Sequence, residues 1–162
     1  PRKAFVLAAG LGTRTLPLSR DLPKPLMQLW GRPLLVHILR LLARWGVRDV
    51  LINCHHLPGE LVNLIRHVPV PDLNVALSFE PEIQGTGGAL RRAAWFFDGS
   101  PFWLINADIA ADVSPAPFVR RLGRGDVAAV LWLESRRGPR TVEMRNGLIH
   151  NFSSAEPGKP GT

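Results

Sequence analysis

The segment AAGLGTRTLPLSRDLPKPL, residues 8–26, carries the strongest structural signal in this chain of 162 residues. It directly follows a short apolar run at residues 4–7, which predicts a buried first strand. Gly10 and Gly12 permit a tight loop, because residues without a Cβ atom let backbone N–H groups approach a ligand closely. The segment therefore predicts a ligand-binding loop at the end of a strand.

The side chains of this loop add hydrogen-bonding and charged groups. Thr13 supplies a hydroxyl, and Arg14 and Lys24 supply two positive charges. Exposed amides and fixed cations suit a polyphosphate, so the loop predicts nucleotide chemistry. Because Pro23 and Pro25 flank Lys24 and fix the backbone, Lys24 is expected in an extended conformation. The alternative is a surface turn rich in glycine and proline, in which the charges are incidental.

Two common phosphate-binding loops do not fit this segment. The dinucleotide fingerprint requires a third glycine that opens a helix, but Thr15 stands at that position. The Walker loop ends in Gly-Lys followed by Ser or Thr, and this string does not occur in the sequence. The segment is therefore a third kind of loop.

Length and composition indicate one globular domain with a sizeable core, since 46% of the residues are hydrophobic and 20% are charged. Arg40 and Arg44 interrupt the leucine-rich run, so no stretch is long enough to span a membrane. The single cysteine, Cys54, cannot form an internal disulfide and is consistent with a cytoplasmic location. It follows a strand-like run and is expected to be a small buried hydrophobe.

Strand-like and helix-like runs alternate along the chain, a pattern that predicts a parallel sheet covered on both faces. Helices are predicted at residues 33–45, 58–67, 88–97 and 115–122, and further strands at 50–53, 74–79, 102–106 and 127–133. Segments 141–144 and 148–152 flank Asn146-Gly147, a strong hairpin signal.

Four blocks of sequence, taken in order, carry a resemblance to a known family. They are LAAGLGTRTLPLSRDLPKPL, GRPLLVHIL, GTGGAL at residues 85–90 and NADI at residues 106–109. Together they resemble the nucleoside-triphosphate:sugar-1-phosphate nucleotidyltransferases, which are also called NDP-sugar pyrophosphorylases. The chain is most similar to short bacterial members that resemble mannose-1-phosphate guanylyltransferase or N-acetylmuramate-1-phosphate uridylyltransferase. The resemblance weakens after about residue 134.

The resemblance implies an α/β fold, a three-layer α/β/α Rossmann-like domain with a mostly parallel sheet. One nucleotidyltransferase domain is expected over residues 1–162. Similar enzymes continue further, so the C-terminal, sugar-binding part is expected to be incomplete and the chain weakly active or inactive, with nucleotide affinity retained. The alternative is a naturally short member of the family.

The resemblance also implies Mg²⁺-dependent nucleotidyl transfer from a nucleoside triphosphate to a sugar-1-phosphate. Arg14 would hold the β- and γ-phosphates, and Lys24 would neutralise the α-phosphate and the incoming sugar phosphate. Backbone amides would cradle the triphosphate at Ala9, Gly10, Leu11, Gly12 and Thr13. The alternative function is that of a catalytically impaired regulatory homologue that binds a nucleotide or an NDP-sugar.

The second glycine-rich block is assigned to the nucleobase by the same resemblance. Gly85, Thr86 and Gly88 would contact the base, with Glu80 and Gln84 nearby. Glycines allow close approach of a planar base, and backbone groups can read its edge. The alternative is a strand-to-helix turn with glycines at the start of the helix.

Asp108 follows a predicted strand and is the candidate metal ligand. In open α/β sheets ligands collect at the carboxyl ends of strands, and Mg²⁺ takes few ligands from the protein and the rest from phosphates and water. Its assignment to Mg²⁺ follows the resemblance; the alternative is that Asp108 caps a turn or is solvated. A second aspartate used by the family would lie beyond Thr162.

The net charge of +7 raises the alternative of a nucleic-acid-binding module. Arginines cluster at positions 120, 121 and 124 and at positions 136, 137 and 140. Such modules expose aromatic residues, whereas six are expected here in the core: Phe79, Trp95, Phe96, Phe97, Trp103 and Trp132. The expected partners are therefore a nucleoside triphosphate and a sugar-1-phosphate, with no nucleic acid or membrane. Oligomerisation is left open.

Overall fold

The computed structural model describes residues 1–133 and 142–152, with the exception of the Arg14 side chain. In chain order the strands are β1 (Lys3–Leu7), β2 (Gln28–Leu29), β3 (Arg32–Pro33), β4 (Asp49–Cys54), β5 (Asn74–Phe79), β6 (Phe102–Asn106), β7 (Glu143–Arg145) and β8 (Leu148–Asn151). The α-helices are α1 (Leu34–Arg44), α2 (Pro58–His67), α3 (Gly85–Arg92), α4 (Ala94–Phe97) and α5 (Ala116–Leu122). None of these described helices has the length and apolar character needed to cross a membrane.

The main sheet has four parallel strands in the order β5-β4-β1-β6. The central strands β1 and β4 are apolar and buried on both faces, as is typical of parallel sheets. The register places Leu7 beside both Asn53 and Asn106, so the carboxyl ends of three strands are level. The prediction of a mostly parallel sheet is confirmed.

Helical segments cover both faces of this sheet. On one face, fully buried Phe5 and Leu51 form a cluster with Ala89 of α3. Trp103 is one residue out of register with Phe5 and therefore lies on the opposite face. There it packs against Trp45, directly after α1, with ring centroids 4.6 Å apart. Each large apolar side chain buried in this way contributes about 1.5–3 kcal/mol to the stability of the fold. Because helices cover both faces of the sheet, the three-layer α/β/α architecture is confirmed.

The predicted elements agree closely with the observed ones in the first part of the chain. The helix predicted at 58–67 and the strands predicted at 74–79 and 102–106 have the observed bounds. The helix predicted at 33–45 begins at Leu34, because Pro33 pairs within β3. The helix predicted at 88–97 begins at Gly85 and is divided at Ala93 into α3 and α4.

The strand predicted at residues 127–133 is wrong. These residues belong to neither a helix nor a strand, and both Leu131 and Trp132 are exposed. An apolar run becomes a strand only where a neighbouring strand completes its backbone hydrogen bonds. The local pattern of residues contains no information about that neighbour.

The chain divides into two compact units, Pro1–Pro115 and Ala116–Thr162; one domain over residues 1–162 stays a prediction. The second unit contains α5 and the β7–β8 hairpin. Asn146 and Gly147 have φ of 52° and 74°, as a tight hairpin turn requires, so the predicted hairpin is confirmed. Its predicted residue Thr141 lies outside the described residues, as does the arginine cluster at 136–140.

The expectation that six aromatic residues are core residues is correct only in part. Trp103 is buried, and Phe96 and Phe97 are half-buried against the sheet. Phe79 lies at the end of an edge strand, Trp95 on the outer side of α4 and Trp132 in the segment without a strand. All three side chains are exposed. An apolar pattern in the sequence does not ensure that another helix or strand packs over the residue.

Cys54 is a buried free cysteine, as expected. Burial, and to a smaller extent the negative charge of Glu80, raises the pKa of its thiol. Because the thiolate is the reactive form and the native site excludes reagent, we expect the folded protein to react with Ellman's reagent at least about a hundredfold more slowly than the urea-unfolded protein. Absorbance time courses measure both rates; equal rates would contradict the buried placement.

Candidate active site

The strand order locates a crevice at the carboxyl ends of the sheet. After β1 the chain builds β4 and β5 on one side, and it later returns to place β6 on the other side of β1. Ligands of open α/β sheets bind where the strand order reverses in this way. A cavity of about 360 Å³ opens here, lined by the ends of β1, β4 and β6 and by residues of the loops after β1, β5 and β6.

Most residues predicted for the site line this cavity. Those that do are Ala9, Gly10, Gly12, Thr13, Lys24, Glu80, Gly85, Thr86 and Asp108. Leu11, Gln84 and Gly88 are not among the lining residues, and Leu11 is exposed. The side chain of Arg14 lies outside the described part of the structure. The fold therefore brings together residues that are far apart in the sequence.

The glycine loop (residues 8–15) is held by its own hydrogen bonds around Gly12. The Gly12 carbonyl accepts from the Thr15 amide at 2.8 Å, from Thr15 Oγ1 at 2.7 Å and from Ser19 Oγ at 2.7 Å. Gly12 has a φ of 63°, and a Cβ atom there would lie 3.1 Å from both Ser19 Cβ and Thr15 Oγ1. Sequence reasoning missed the two hydroxyl residues, although serine and threonine that follow a glycine loop are a usable signal.

Replacing Gly12 with alanine is expected to lower the free energy of unfolding by about 1–2 kcal/mol, because an L-residue resists the left-handed conformation. The loop relieves this strain by moving the carbonyl away from its donors, so triphosphate affinity should fall at least about fivefold. Urea titration and calorimetric binding measure the two effects. Gly10→Ala is the stability control, since a Cβ atom at Gly10 meets nothing within 4 Å; equal stability of both variants would contradict the strain at Gly12.

Lys24 does not have the extended backbone expected from its flanking prolines. It begins a 3₁₀ helix, Lys24–Leu26, in which the Leu26 amide donates to the Pro23 carbonyl at 2.8 Å. Pro25 fits this turn because the first residues of a helix need no N–H donor and proline already has a suitable φ. The expectation was therefore wrong, and the turn directs Lys24 into the cavity.

Lys24 and Asp108 meet across the cavity. Lys24 Nζ donates to Asp108 Oδ2 at 2.5 Å, with the two side chains 28% and 37% exposed. Asp108 lies directly after Ala107, whose amide donates to the Leu7 carbonyl at 2.9 Å and so extends the ladder beyond β6. The predicted cation and the predicted metal ligand therefore form an ion pair in the cavity that the glycine loop also lines.

A buried polar pair, Asn53 and Glu80, also lines the cavity. Asn53 Oδ1 accepts from the Ala8 amide at 2.6 Å, and Asn53 Nδ2 donates to Glu80 Oε1 at 2.9 Å. Glu80 Oε2 accepts from the Gln84 amide at 3.3 Å. Asn53 and Glu80 are 3% and 1% exposed, so both oxygens of the predicted nucleotide ligand Glu80 are engaged inside the protein.

Packing within α3 explains why position 88 is a glycine. A Cβ atom at Gly88 would lie 2.6 Å from Cβ of Gln84, a separation that real Cβ atoms do not adopt. The Gln84 side chain thus occupies the space that a side chain at position 88 would need. Gly85 and Thr86, in contrast, open α3 at the cavity wall.

The polar side chains that line the cavity suit Mg²⁺, which needs few protein ligands. They do not suit a metal site in which protein side chains supply every ligand. Within the described residues no group of three or more His, Cys, Asp or Glu side chains could hold a metal ion. His55 and His56 instead contact the backbone carbonyls of Glu80 and Arg20. Mg²⁺ needs only one or two carboxylates when phosphates and water supply the remaining oxygens, and Asp108 offers such a carboxylate.

Comparison with known sequences agrees with this geometry. The family model for nucleotidyl transferases matches residues 3–134. The mannose-1-phosphate guanyltransferase of Aspergillus oryzae is 34% identical over 113 residues, which are 68% of this chain and 31% of that protein. The Saccharomyces cerevisiae protein of the same name is 33% identical with the same coverage. The chain thus spans about a third of the length of these curated relatives.

Solved structures show the same fold. HddC from Yersinia pseudotuberculosis, complexed with GMP-PN, is 30% identical with a TM-score of 0.66, over 75% of this chain and 54% of that chain. The UDP-glucose pyrophosphorylase from Acinetobacter baumannii is 21% identical with a TM-score of 0.63, over 76% and 53% of the two chains. The second likeness concerns the fold alone, and the Rossmann-like nucleotidyltransferase fold is confirmed.

Proposed function

The chain belongs to the nucleotidyl transferase family, and from that premise we propose that it joins a nucleoside triphosphate to a sugar-1-phosphate, giving an NDP-sugar and pyrophosphate. The observation that carries this proposal is the meeting of Lys24 and Asp108 beside the glycine loop in one cavity. Curated relatives are named as mannose-1-phosphate guanyltransferases, which supports the same class of reaction.

In this reaction an oxygen of the sugar phosphate attacks the α-phosphorus of the triphosphate. A new P–O bond forms, the bond to the β-phosphate oxygen breaks, and its electron pair leaves with pyrophosphate. Since two anions must approach each other, the barrier consists mainly of positioning and charge neutralisation. A protein nucleophile is not needed for this chemistry.

Lys24 is assigned to the α-phosphate and the incoming sugar phosphate. Lys24 begins a short 3₁₀ helix beside the cavity. This turn holds the ammonium group in place while negative charge builds up on the oxygens of the α-phosphate. Arg14 is assigned to the β- and γ-phosphates that depart as pyrophosphate. The amides of the glycine loop, held by the Gly12 hydrogen bonds, are assigned to the triphosphate oxygens.

Asp108 is assigned to Mg²⁺, which when bound supplies charge neutralisation on the phosphate oxygens. Only Oδ2 of Asp108 is engaged with Lys24, so the carboxylate retains lone pairs for a metal. Asp108 would hold the metal through these lone pairs, and the neighbouring Lys24 ammonium group would face the phosphates.

The loop that opens α3 is assigned to the nucleobase through Gly85 and Thr86, which line the cavity. GTP is the first triphosphate to test, because the relatives are guanyltransferases by name and HddC was solved with GMP-PN. The reaction is placed in the cytoplasm, which the single, buried Cys54 supports. Nucleic acids and membranes are not proposed as partners, and the oligomeric state is left open.

The deciding experiment combines binding and turnover. Calorimetry with GTP, UTP, dTTP and ATP, each with and without Mg²⁺, is expected to give saturable, metal-dependent binding of one triphosphate in preference to the others. Pyrophosphate release is then measured with that nucleotide and a panel of sugar-1-phosphates. Binding of none of the four triphosphates would contradict the proposed site. Because the sugar-binding part is expected to be incomplete here, the activity is tested in a version extended to the length of the curated relatives, and no release by that version with any sugar would contradict the proposed activity.

A further inference from the structure

Resting on the proposed function, we propose that Asn53 and Glu80 are positioning residues that fix the distance between the glycine loop and the loop that opens α3. These two loops are the parts of the cavity assigned to the triphosphate and to the nucleobase. Neither side chain needs to touch the ligand for this role. The pair acts by fixing the distance between the loop that binds the triphosphate and the loop that binds the nucleobase.

The hydrogen bonds run without a break across three strand ends. The Ala8 amide, at the start of the glycine loop, donates to Asn53 at the end of β4. Asn53 donates to Glu80, directly after β5, and Glu80 accepts from the Gln84 amide at the N-cap of α3. The Glu80 backbone adds two further contacts, since its amide donates to the Cys54 carbonyl at 2.8 Å and its carbonyl contacts His55 Nδ1 at 2.8 Å.

The chemical identity of each group follows from its neighbours. Position 53 must accept from an amide and donate to a carboxylate, which one planar carboxamide does. Position 80 must accept at both ends, which a carboxylate does and a carboxamide does not. Glu80 and Asn53 are 1% and 3% exposed, so neither side chain can replace a lost partner with bulk water. A mismatched hydrogen bond therefore displaces the loops that the pair connects.

Glu80→Gln is the informative single variant, because two explanations predict opposite results. The substitution removes a negative charge near the phosphate site, which by simple electrostatics strengthens triphosphate binding. It also turns an amide group against either Asn53 Nδ2 or the Gln84 amide, which separates the loops. We expect GTP to bind at least about tenfold more weakly, the effect of one mismatched buried hydrogen bond.

Inorganic triphosphate separates this role from a general loss of structure. It occupies the phosphate part of the cavity only, so it does not sense the distance to the α3 loop. Its affinity for Glu80→Gln is expected to stay within about threefold of wild type, since the bond from Ala8 to Asn53 is retained. Equal weakening of GTP and inorganic triphosphate would show a merely structural effect and overturn the inference.

The double variant Asn53→Asp with Glu80→Gln restores every hydrogen bond, with the direction of the central bond reversed. The carboxylate introduced at position 53 accepts from the Ala8 amide and from the carboxamide introduced at position 80. The oxygen of that carboxamide accepts from the Gln84 amide, and the total charge equals that of wild type. GTP affinity is expected to return to within about threefold of wild type. Asn53→Asp alone, which sets two carboxylates against each other, completes the cycle and is expected to bind GTP at least about tenfold more weakly.

A matched control lies at the other end of the same two strands. Asn74 Nδ2 donates to Asp49 Oδ1 at 2.9 Å, an exposed carboxamide–carboxylate bond between β5 and β4, far from the cavity. Asn74→Asp breaks this bond and is expected to leave GTP affinity unchanged. A comparable loss of GTP affinity in Asn74→Asp would overturn the specific role of Asn53 and Glu80.

The outcomes are distinguishable. Weaker GTP binding in Glu80→Gln with recovery in the double variant supports the inference. Wild-type or tighter binding in Glu80→Gln, or a folded double variant that binds GTP no better than Glu80→Gln, overturns the inference and leaves the proposed function intact. If the wild-type chain binds neither GTP nor inorganic triphosphate, the proposed function fails and the inference fails with it.

Discussion

In the complete enzyme, with its sugar-binding part present, replacing Asp108 with asparagine is expected to lower Mg²⁺-dependent pyrophosphate release at least about a hundredfold, the usual cost of removing one preorganised electrostatic contact to a reacting group. Asparagine keeps the size of the side chain but is a poor ligand for Mg²⁺, so GTP binding without metal should not weaken. Steady-state rates across an Mg²⁺ titration, paired with metal-free calorimetry, measure both quantities.

Asp98 provides the matched control for this variant. It pairs with Lys3 at 2.6 Å, much as Asp108 pairs with Lys24 at 2.5 Å, but it lies outside the cavity and directly after α4. The Lys3 hydrogen bond lowers the pKa of Asp98, so this carboxylate is charged at neutral pH. Asp98→Asn should retain the wild-type rate. Unchanged turnover in Asp108→Asn would remove Asp108 from the metal site.

Replacing Lys24 with alanine is expected to lower kcat about a hundredfold or more, with a much smaller change in KM. The reason is that its charge is proposed to act most strongly where negative charge develops on the α-phosphate. The ion pair with Asp108 is partly exposed and contributes only about 0–1 kcal/mol to stability, so the variant should fold normally.

Lys3→Ala is the corresponding control, since it removes a similar ion pair at the start of β1. Its kinetic constants should match those of wild type, even if it loses some stability through its contacts with Asp98 and the Phe96 ring. An effect of Lys24→Ala confined to KM would instead identify Lys24 as a contact to the bound substrate that does not strengthen in the transition state.

The sequence predicts those parts of the fold that depend on local pattern. The bounds of α2 and β5 follow from helical spacing and strand alternation, and the tight turn follows from Asn146-Gly147. Residues 127–133 show the opposite case, because their apolar run resembles a strand while the ladder partner is a property of the whole fold. Trp95 is similar, since its exposure depends on which side of a four-residue helix meets the sheet.

The candidate site is predicted to a comparable extent. Lys24 and Asp108 could be named from their motifs, yet they lie 84 positions apart and meet only because the sheet forms between them. The backbone at Lys24 was mispredicted, because proline excludes helix interiors and still suits the first turn of a 3₁₀ helix. The Asn53–Glu80 pair was not predictable, since each residue alone is an ordinary polar group at a strand end and only the register joins them.

The most direct test of the central claim is a ¹H–¹⁵N spectrum of the labelled chain titrated with GTP and Mg²⁺. We expect saturable shifts that are largest at the amides of residues 9–13, at Gly85 and Thr86, and at Asp108. A single-stranded oligonucleotide at the same ionic strength should not reproduce these shifts. Shifts centred on Arg120 and Arg124, or the same pattern with the oligonucleotide, would contradict the claim that this cavity is a nucleoside triphosphate site.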